Sequence, residues 1–186
     1  MSPTRRTFLK IAGAAVVSAS AFSLTGLAPA NAKLVRPPGA VAEEDFRTLC
    51  LRCHQCLDIC PEKALKSAHL TDGWNNTGTP VLGNPCTLCM KCADQCPSGA
   101  LSTIEPKKAK MGTAFIIDKE CVGCDKCIKP CPTGAITKVP GKRLVAIDPG
   151  KCTGCFTCVK ACPVTPVAIQ VTADGARRER FKSPKA

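Results

Sequence analysis

Sixteen cysteines are the residues of this 186-residue chain whose type and spacing could do chemistry. They fall in four sets: Cys50, Cys53, Cys56 and Cys60; Cys86, Cys89, Cys92 and Cys96; Cys121, Cys124, Cys127 and Cys131; Cys152, Cys155, Cys158 and Cys162. Every set reads C-x-x-C-x-x-C-x-x-x-C, and the last cysteine is always followed by proline: Pro61, Pro97, Pro132 and Pro163. The first cysteines are 36, 35 and 31 residues apart, and no cysteine is left over. A fixed period of this kind marks an internal repeat. Thiolates are soft metal ligands, and a cubane [4Fe–4S] cluster needs four of them at tetrahedral corners. Two-residue gaps let one tight loop supply three. The fourth, facing the other way at the start of a short helix, reaches a partner cluster, with proline in the first helical turn. Motifs therefore work in pairs, and the sixteen cysteines are expected to hold four [4Fe–4S] clusters.

Three other uses of these cysteines fit less well. Structural zinc sites use two C-x-x-C pairs across a longer spacer, not three cysteines at successive three-residue intervals. A disulfide framework leaves four identical spacings unexplained. Cys50-Leu51-Arg52-Cys53-His54 also reads as a c-type haem attachment sequence. Haem there would strip two ligands from the first motif and orphan Cys56 and Cys60, so His54 reads as an exposed loop residue.

Short elements must position these loops. Phe115 to Asp118 and Leu144 to Asp148 read as strands leading into Cys121 and Cys152, with a turn at Pro140-Gly141. Gly123 and Gly154 let the backbone bend closely around a cluster with N–H groups aimed at sulfur. Ala64-Leu65, Ala100-Leu101 and Ala135-Ile136 recur at one offset after the fourth cysteine, whereas Ala168-Ile169 comes two residues later, in a longer loop. The expected fold is α+β: tandem bacterial ferredoxin-like modules of two clusters each, with short strands, short helices and many loops. The expected divisions are a lead-in over 33–49, a first pair of motifs over 50–110, a second over 111–172 and a basic tail over 173–186. Neighbouring motifs can pair, or the outer two and the inner two; the strands before the third and fourth favour neighbours. The segment His69 to Pro85, with Trp74, reads as a surface connector, and the run from Arg177 to Lys182 as a solvated end.

Only 4% of residues are aromatic, with one tryptophan and no tyrosine, so metal rather than large rings is expected to organise the interior. The formal net charge is +12. Each resting cluster with its thiolates carries about −2, so four offset about eight of those charges. The basic balance is mostly counter-charge, and nucleic acid is not expected as a partner. No nucleophile–base pair, phosphate loop or substrate-sized site is visible, so the chain reads as a carrier with no small-molecule substrate and no catalytic residues. At the front, Arg5-Arg6-Thr7-Phe8-Leu9-Lys10 precedes an apolar run of 17 residues, Ile11 to Leu27, and then Ala30-Asn31-Ala32. This is the layout of a signal peptide over 1–32, with cleavage expected before Lys33, and the run is short for a membrane span. The paired arginines resemble the twin-arginine export signal, a route for proteins folded before they cross the membrane.

Taken together, these features resemble the NapG/MauM family of periplasmic ferredoxin-type proteins. The resemblance is carried by Arg36-Pro37-Pro38-Gly39-Ala40, by Glu43 to Phe46, and by Cys50-x-Arg52-Cys53-x-Gln55-Cys56. Cys96-Pro97-Ser98-Gly99-Ala100-Leu101 and Met111-Gly112 add to it. It implies electron transfer from a membrane-bound quinol dehydrogenase-like Fe–S protein towards a periplasmic reductase, of nitrate-reductase type, or a cytochrome. It also implies export by the twin-arginine translocase to the periplasm, at the outer face of the inner membrane. The second and third motifs of the family often carry insertions that are missing here, which bears on the redox partner. A four-cluster subunit of a molybdenum oxidoreductase or hydrogenase complex is the second reading. An iron–sulfur maturation helper is a third, set against the export signal, which would separate it from cytoplasmic clients.

Overall fold

Cysteine loops, glycines and prolines leave little room for long regular elements, and the longest among the described residues has seven. The computed structural model describes residues 33–181; the segment 1–32, expected from the sequence to be a signal peptide, and residues 182–186 lie outside them. Among the described residues there are four helices: α1 (Glu43–Leu49), α2 (Gln55–Asp58), α3 (Lys91–Asp94) and α4 (Thr157–Ala161). Six strands accompany them: β1 (Leu65–Ser67), β2 (Pro80–Leu82), β3 (Thr113–Ile116), β4 (Ile136–Lys138), β5 (Val145–Ile147) and β6 (Ile169–Thr172). Single 3-10 turns occupy Leu70–Asp72, Trp74–Asn76 and Pro106–Lys108. Among the described residues no helix is long and apolar enough to cross a membrane.

The strands pair by one rule in both halves. In the second half, β3 before the third motif pairs antiparallel with β6 after the fourth, in register from Thr113 opposite Thr172 to Ile116 opposite Ile169. The strand after the third motif, β4, pairs with the strand before the fourth, β5, with Ile136 opposite Ile147. In the first half β1 follows the first motif and pairs with β2, which precedes the second, with Leu65 opposite Leu82. The remaining pairing has shrunk to a single bridge between Ala40 and Leu101, flanked by bonds from Val41 N–H to Ala100 O and from Ser102 N–H to Gly39 O. Gly39 has φ +77°, and a Cβ there would overlap the Ser102 carbonyl, so glycine permits this close approach.

Two apolar cores follow from the pairing. One surrounds Phe46, which is fully buried, with Leu65, Leu82, Leu101 and Met111; the other gathers Ala114, Ile136, Val145 and Ile169. The alanines that recur after the fourth cysteines (Ala64, Ala100, Ala135 and Ala168) are each 1% exposed. They lie at the cluster-facing ends of the strands, and the two extra residues before Ala168 are absorbed in the loop after Pro163. The strand expected over Phe115 to Asp118 begins and ends two residues earlier, because its partner β6 is in register with Thr113 to Ile116.

Two segments differ from what the sequence suggests. The connector from His69 is at the surface as expected, with Trp74 exposed, but it is also anchored: Asn76 and Thr79 are buried, and Arg52 donates to the carbonyls of Thr77 and Asn75. The tail does not run free as far as Phe181. Ala42 N–H donates to Glu179 O, Phe181 N–H to Asp45, and Arg177 N–H to Lys110 O. An ion cluster explains both. Arg36 is fully buried and donates to Glu43, Thr79, Asn76 and the Pro80 carbonyl, with its guanidinium 4.7 Å from the centre of the Phe46 ring. Arg178 donates to the other oxygen of Glu43 at 2.6 Å and to the Leu34 carbonyl. One carboxylate thus ties lead-in, connector and tail together. A buried guanidinium needs such a set of acceptors.

Candidate metal centres

All sixteen cysteines are free thiols, and the fold gathers them in fours around four cavities. Cys50, Cys53 and Cys56 share a cavity with Cys96. Cys86, Cys89 and Cys92 share one with Cys60. Cys121, Cys124 and Cys127 face Cys162, and Cys152, Cys155 and Cys158 face Cys131. Each motif therefore gives three thiols to its own cavity and the fourth to its neighbour's. The first motif exchanges with the second and the third with the fourth, which settles within this structure the choice the spacing leaves open.

The backbone around each cavity repeats. Left-handed φ values occur two and four residues after every first cysteine: Arg52 and His54, Leu88 and Met90, Gly123 and Asp125, Gly154 and Phe156. Six of these eight residues are not glycine, so sequence reasoning found only two. Alternating handedness of this kind turns successive N–H groups inward and makes an anion-binding nest. Side chains other than glycine held there carry strain of about 1–3 kcal/mol each, a cost that persists only where the surroundings impose it. Leu88 N–H approaches Cys86 Sγ at 3.4 Å, Ala114 N–H approaches Cys152 Sγ at 3.4 Å, and Ala64 N–H approaches Cys60 Sγ at 3.3 Å.

The helical turn lies elsewhere than expected. Helices α2, α3 and α4 carry the third cysteine and end before or at the fourth, instead of starting there. In all four motifs the fourth cysteine N–H bonds a carbonyl three residues back, on Leu57, Ala93, Ile128 or Val159. The proline that follows has no N–H to continue the ladder and stops it, so the chain turns and carries that thiol to the neighbouring cavity.

Burial and mutual proximity make these thiols reluctant to ionise without a metal. Burial first, and then the charges of Cys50, Cys96 and Cys53, push Cys56 up to about 12. Cys92 and Cys158 are pushed equally high for the same reasons, and Cys86 to about 11. Burial also raises Cys131, but hydrogen bonds from Thr133 and the amides of Thr133, Ala135 and Gly134 outweigh it and bring the thiol below its ordinary value. Converging sulfurs that cannot ionise together are a poor arrangement for bare thiolates and a good one around a cationic iron core. Among the described residues no three His, Cys, Asp or Glu side chains close to the spacing of a single metal ion. The thiols instead stand around cavities of roughly 320–350 Å³, mouths included, as a cluster with its own inorganic core requires. The donor set fits [4Fe–4S] clusters. His54 is exposed at the border of the first-motif cavity, and its ring Nε2 lies 3.1 Å from the Gly78 carbonyl.

Comparison with known proteins agrees with this donor set. Residues 85–135 and 114–171 each match a 4Fe–4S dicluster domain, and residues 50–64 match a 4Fe–4S binding domain. The match over 85–135 joins the second and third motifs, whose thiols line separate cavities; identical spacing lets a two-motif pattern fit any neighbours. The methylamine utilization ferredoxin-type protein MauM of Methylobacillus flagellatus is 36% identical over 124 residues, 63% of this chain and 51% of that protein. MauM of Methylophilus methylotrophus is 34% identical over 62% of this chain and 54% of its own length. The ferredoxin-type protein NapG of Escherichia coli is 37% identical over 130 residues, 62% of this chain and 55% of NapG. The chain thus spans about half the length of the curated relatives it matches. A chain of a formate dehydrogenase, heterodisulfide reductase and formylmethanofuran dehydrogenase complex from Methanospirillum hungatei covers 75% of this chain at 25% identity. Its TM-score of 0.32 is too low to bear on the fold. With its repeated 4Fe–4S domains, the chain binds multiple [4Fe–4S] clusters and is similar to the ferredoxin-type proteins MauM and NapG.

Proposed function

We propose that this chain is a periplasmic electron-transfer protein holding four [4Fe–4S] clusters on its sixteen cysteines. In this reading it relays electrons from a membrane quinol-oxidising Fe–S partner to a periplasmic reductase of the nitrate-reductase type. The observation that carries the reading is the grouping of all sixteen thiols into four quartets inside one compact unit. Bound clusters supply one-electron storage and release at each quartet. The chain's own part is to hold the ligands, to exclude water with the alanines and apolar strand ends, and to aim backbone N–H groups at sulfur, which tunes potential. Two modules of two quartets each are built, over 50–110 and 111–172, with 33–49 and 173–181 clasping them.

The similarity to the ferredoxin-type protein NapG supports the carrier role, and the MauM proteins, named for methylamine utilization, support a second setting for the same carrier chemistry. The test is stopped-flow mixing of dithionite-reduced holoprotein with a periplasmic nitrate reductase. Rapid return of the oxidised cluster absorbance is expected. A chain that is reducible but not reoxidised there would exclude that acceptor. Residence in the periplasm is proposed from the twin-arginine segment alone. Replacing Arg5 and Arg6 with lysine should leave the holoprotein in the cytoplasm, and unchanged export would refute that part.

A further inference from the structure

Besides the tail contacts, a backbone hydrogen bond joins a cysteine motif of the second half to one of the first. Cys86 N–H in the second motif donates to Cys155 O in the fourth at 2.9 Å. Cys155 is 9% exposed and is the only cysteine of the second half to join the apolar core around Phe46, with Phe156 packed against it. The same loop lies against Met111, a member of that core, whose N–H donates to Thr153 O, and Lys110 Nζ of the first half donates to the Pro149 carbonyl just before the fourth motif. At Gly154, φ is +73° and an added Cβ would lie 2.8 Å from the Gly112 nitrogen. Cysteines of the third motif take no part in that core; they belong to the other one.

We infer that the four quartets stand in single file in the order first, second, fourth, third motif, rather than in sequence order. The inference rests on the proposed function for its meaning and on the contacts above for its geometry. First and second quartets are joined by the exchange of Cys60 and Cys96, and third and fourth by that of Cys131 and Cys162. The Cys86–Cys155 contact joins second to fourth. The quartets of the first and third motifs are then the two ends, and the fourth is an internal relay. Exposure sets the fourth quartet apart. Cys152, Cys155 and Cys158 are all buried, whereas Cys53 and Cys124 are exposed; Cys89, on the second quartet, is exposed as well. The residue after the first cysteine separates ends from middle too. It is an exposed aliphatic at the ends, Leu51 (67% exposed) and Val122 (58%), and a threonine in the inner motifs, Thr87 and Thr153. An exposed apolar residue beside a ligand loop suits the apolar centre of a redox partner's contact.

The direct test is an iron anomalous map from crystals of the holoprotein. Four iron centres are expected, with the first-motif and third-motif centres farthest apart and the fourth-motif centre nearest the second. Four centres in another order, above all a third-motif centre closer to the first half than the fourth, would overturn the inference and leave the proposed function standing. Absence of iron would instead remove the function itself. A solution test uses Cys152→Ala with Cys158→Ala, which leaves Cys121, Cys124, Cys127 and Cys162 in place. In this variant the reduced third-motif cluster should lose spin coupling to the remaining two and give a narrow EPR line. The coupled signal of the first and second clusters should remain beside it; absence of any narrow, uncoupled line at an iron content of about twelve, four per remaining cubane, would contradict the order.

Discussion

Glu43→Ala is the substitution whose effect follows most fully from the geometry. Glu43 accepts from Arg36 Nη2 at 2.6 Å, from Arg36 Nε at 3.1 Å, from Arg178 Nη1 at 2.6 Å and from Arg47 Nε at 3.3 Å. The Arg36 side chain is 0% exposed, Arg178 14% and Glu43 22%. Removing the carboxylate leaves a buried guanidinium with its three neutral acceptors and a second cation beside it. Breaking a buried pair from one side costs about 3–5 kcal/mol, against about 0–1 kcal/mol for an exposed pair. The residual exposure of Glu43 argues for about 3 kcal/mol. In a chain of this size that is a fall of about 6–12 °C in the melting transition. Cluster loss makes unfolding irreversible, so wild type and variant must be compared at one scan rate, by anaerobic thermal bleaching of cluster absorbance. Asp174→Ala is the control. It removes the Lys33 ion pair, exposed on both sides, and should move nothing measurable. The pH dependence has a definite sign. Burial alone would raise the Glu43 carboxyl, but Arg36 first, then Arg178 and Arg47, hold it below its ordinary 4.5. A depressed carboxylate stabilises the fold above the unfolded pKa, and that contribution is lost as pH falls through the folded value. The wild-type advantage should therefore be constant near neutrality and narrow below about pH 4.5. A shift under about 2 °C at pH 7, or an advantage that grows on acidification, would refute the clasp.

Other consequences are as specific. Cys60→Ser should disable the second-motif cluster and spare the first, because Cys60 faces Cys86, Cys89 and Cys92; Mössbauer comparison with Cys53→Ser, where the loss falls on the first-motif cluster, decides whether the two variants damage different sites. Gly154→Ala puts a methyl against the Gly112 backbone at a left-handed φ and should lower the bleaching temperature, with cluster loss beginning in the second half. Chelation of iron under reducing conditions should abolish the near-native far-UV CD spectrum, since quartets with thiols raised to about 12 have no other means of satisfying their geometry.

The cysteine quartets were legible in the sequence because ligand spacing is local and repeated four times. Their exchange was legible only as a rule. Which neighbour receives Cys60 or Cys131 depends on strands three or four residues long, and on a first-half pairing worn down to Ala40 opposite Leu101. Nothing in residue type announces the left-handed backbone at Leu88, Met90 or Phe156; only Gly123 and Gly154 carry a signal for it. Arg36 and Glu43 were visible as residues but not as partners, since a buried ion pair seven residues apart follows no helical or strand period. The same cluster recruits Asn76, Thr79 and Arg178, which turns the connector and the tail from loose segments into packing.

Iron and acid-labile sulfide content of the anaerobically purified chain, with Mössbauer spectra, tests the central claim most directly. Four quartets predict about sixteen irons and as many sulfides per chain, all in cubane clusters, with no titratable free thiol. Eight irons, bound zinc, or cysteines recovered as disulfides in the folded protein would contradict it.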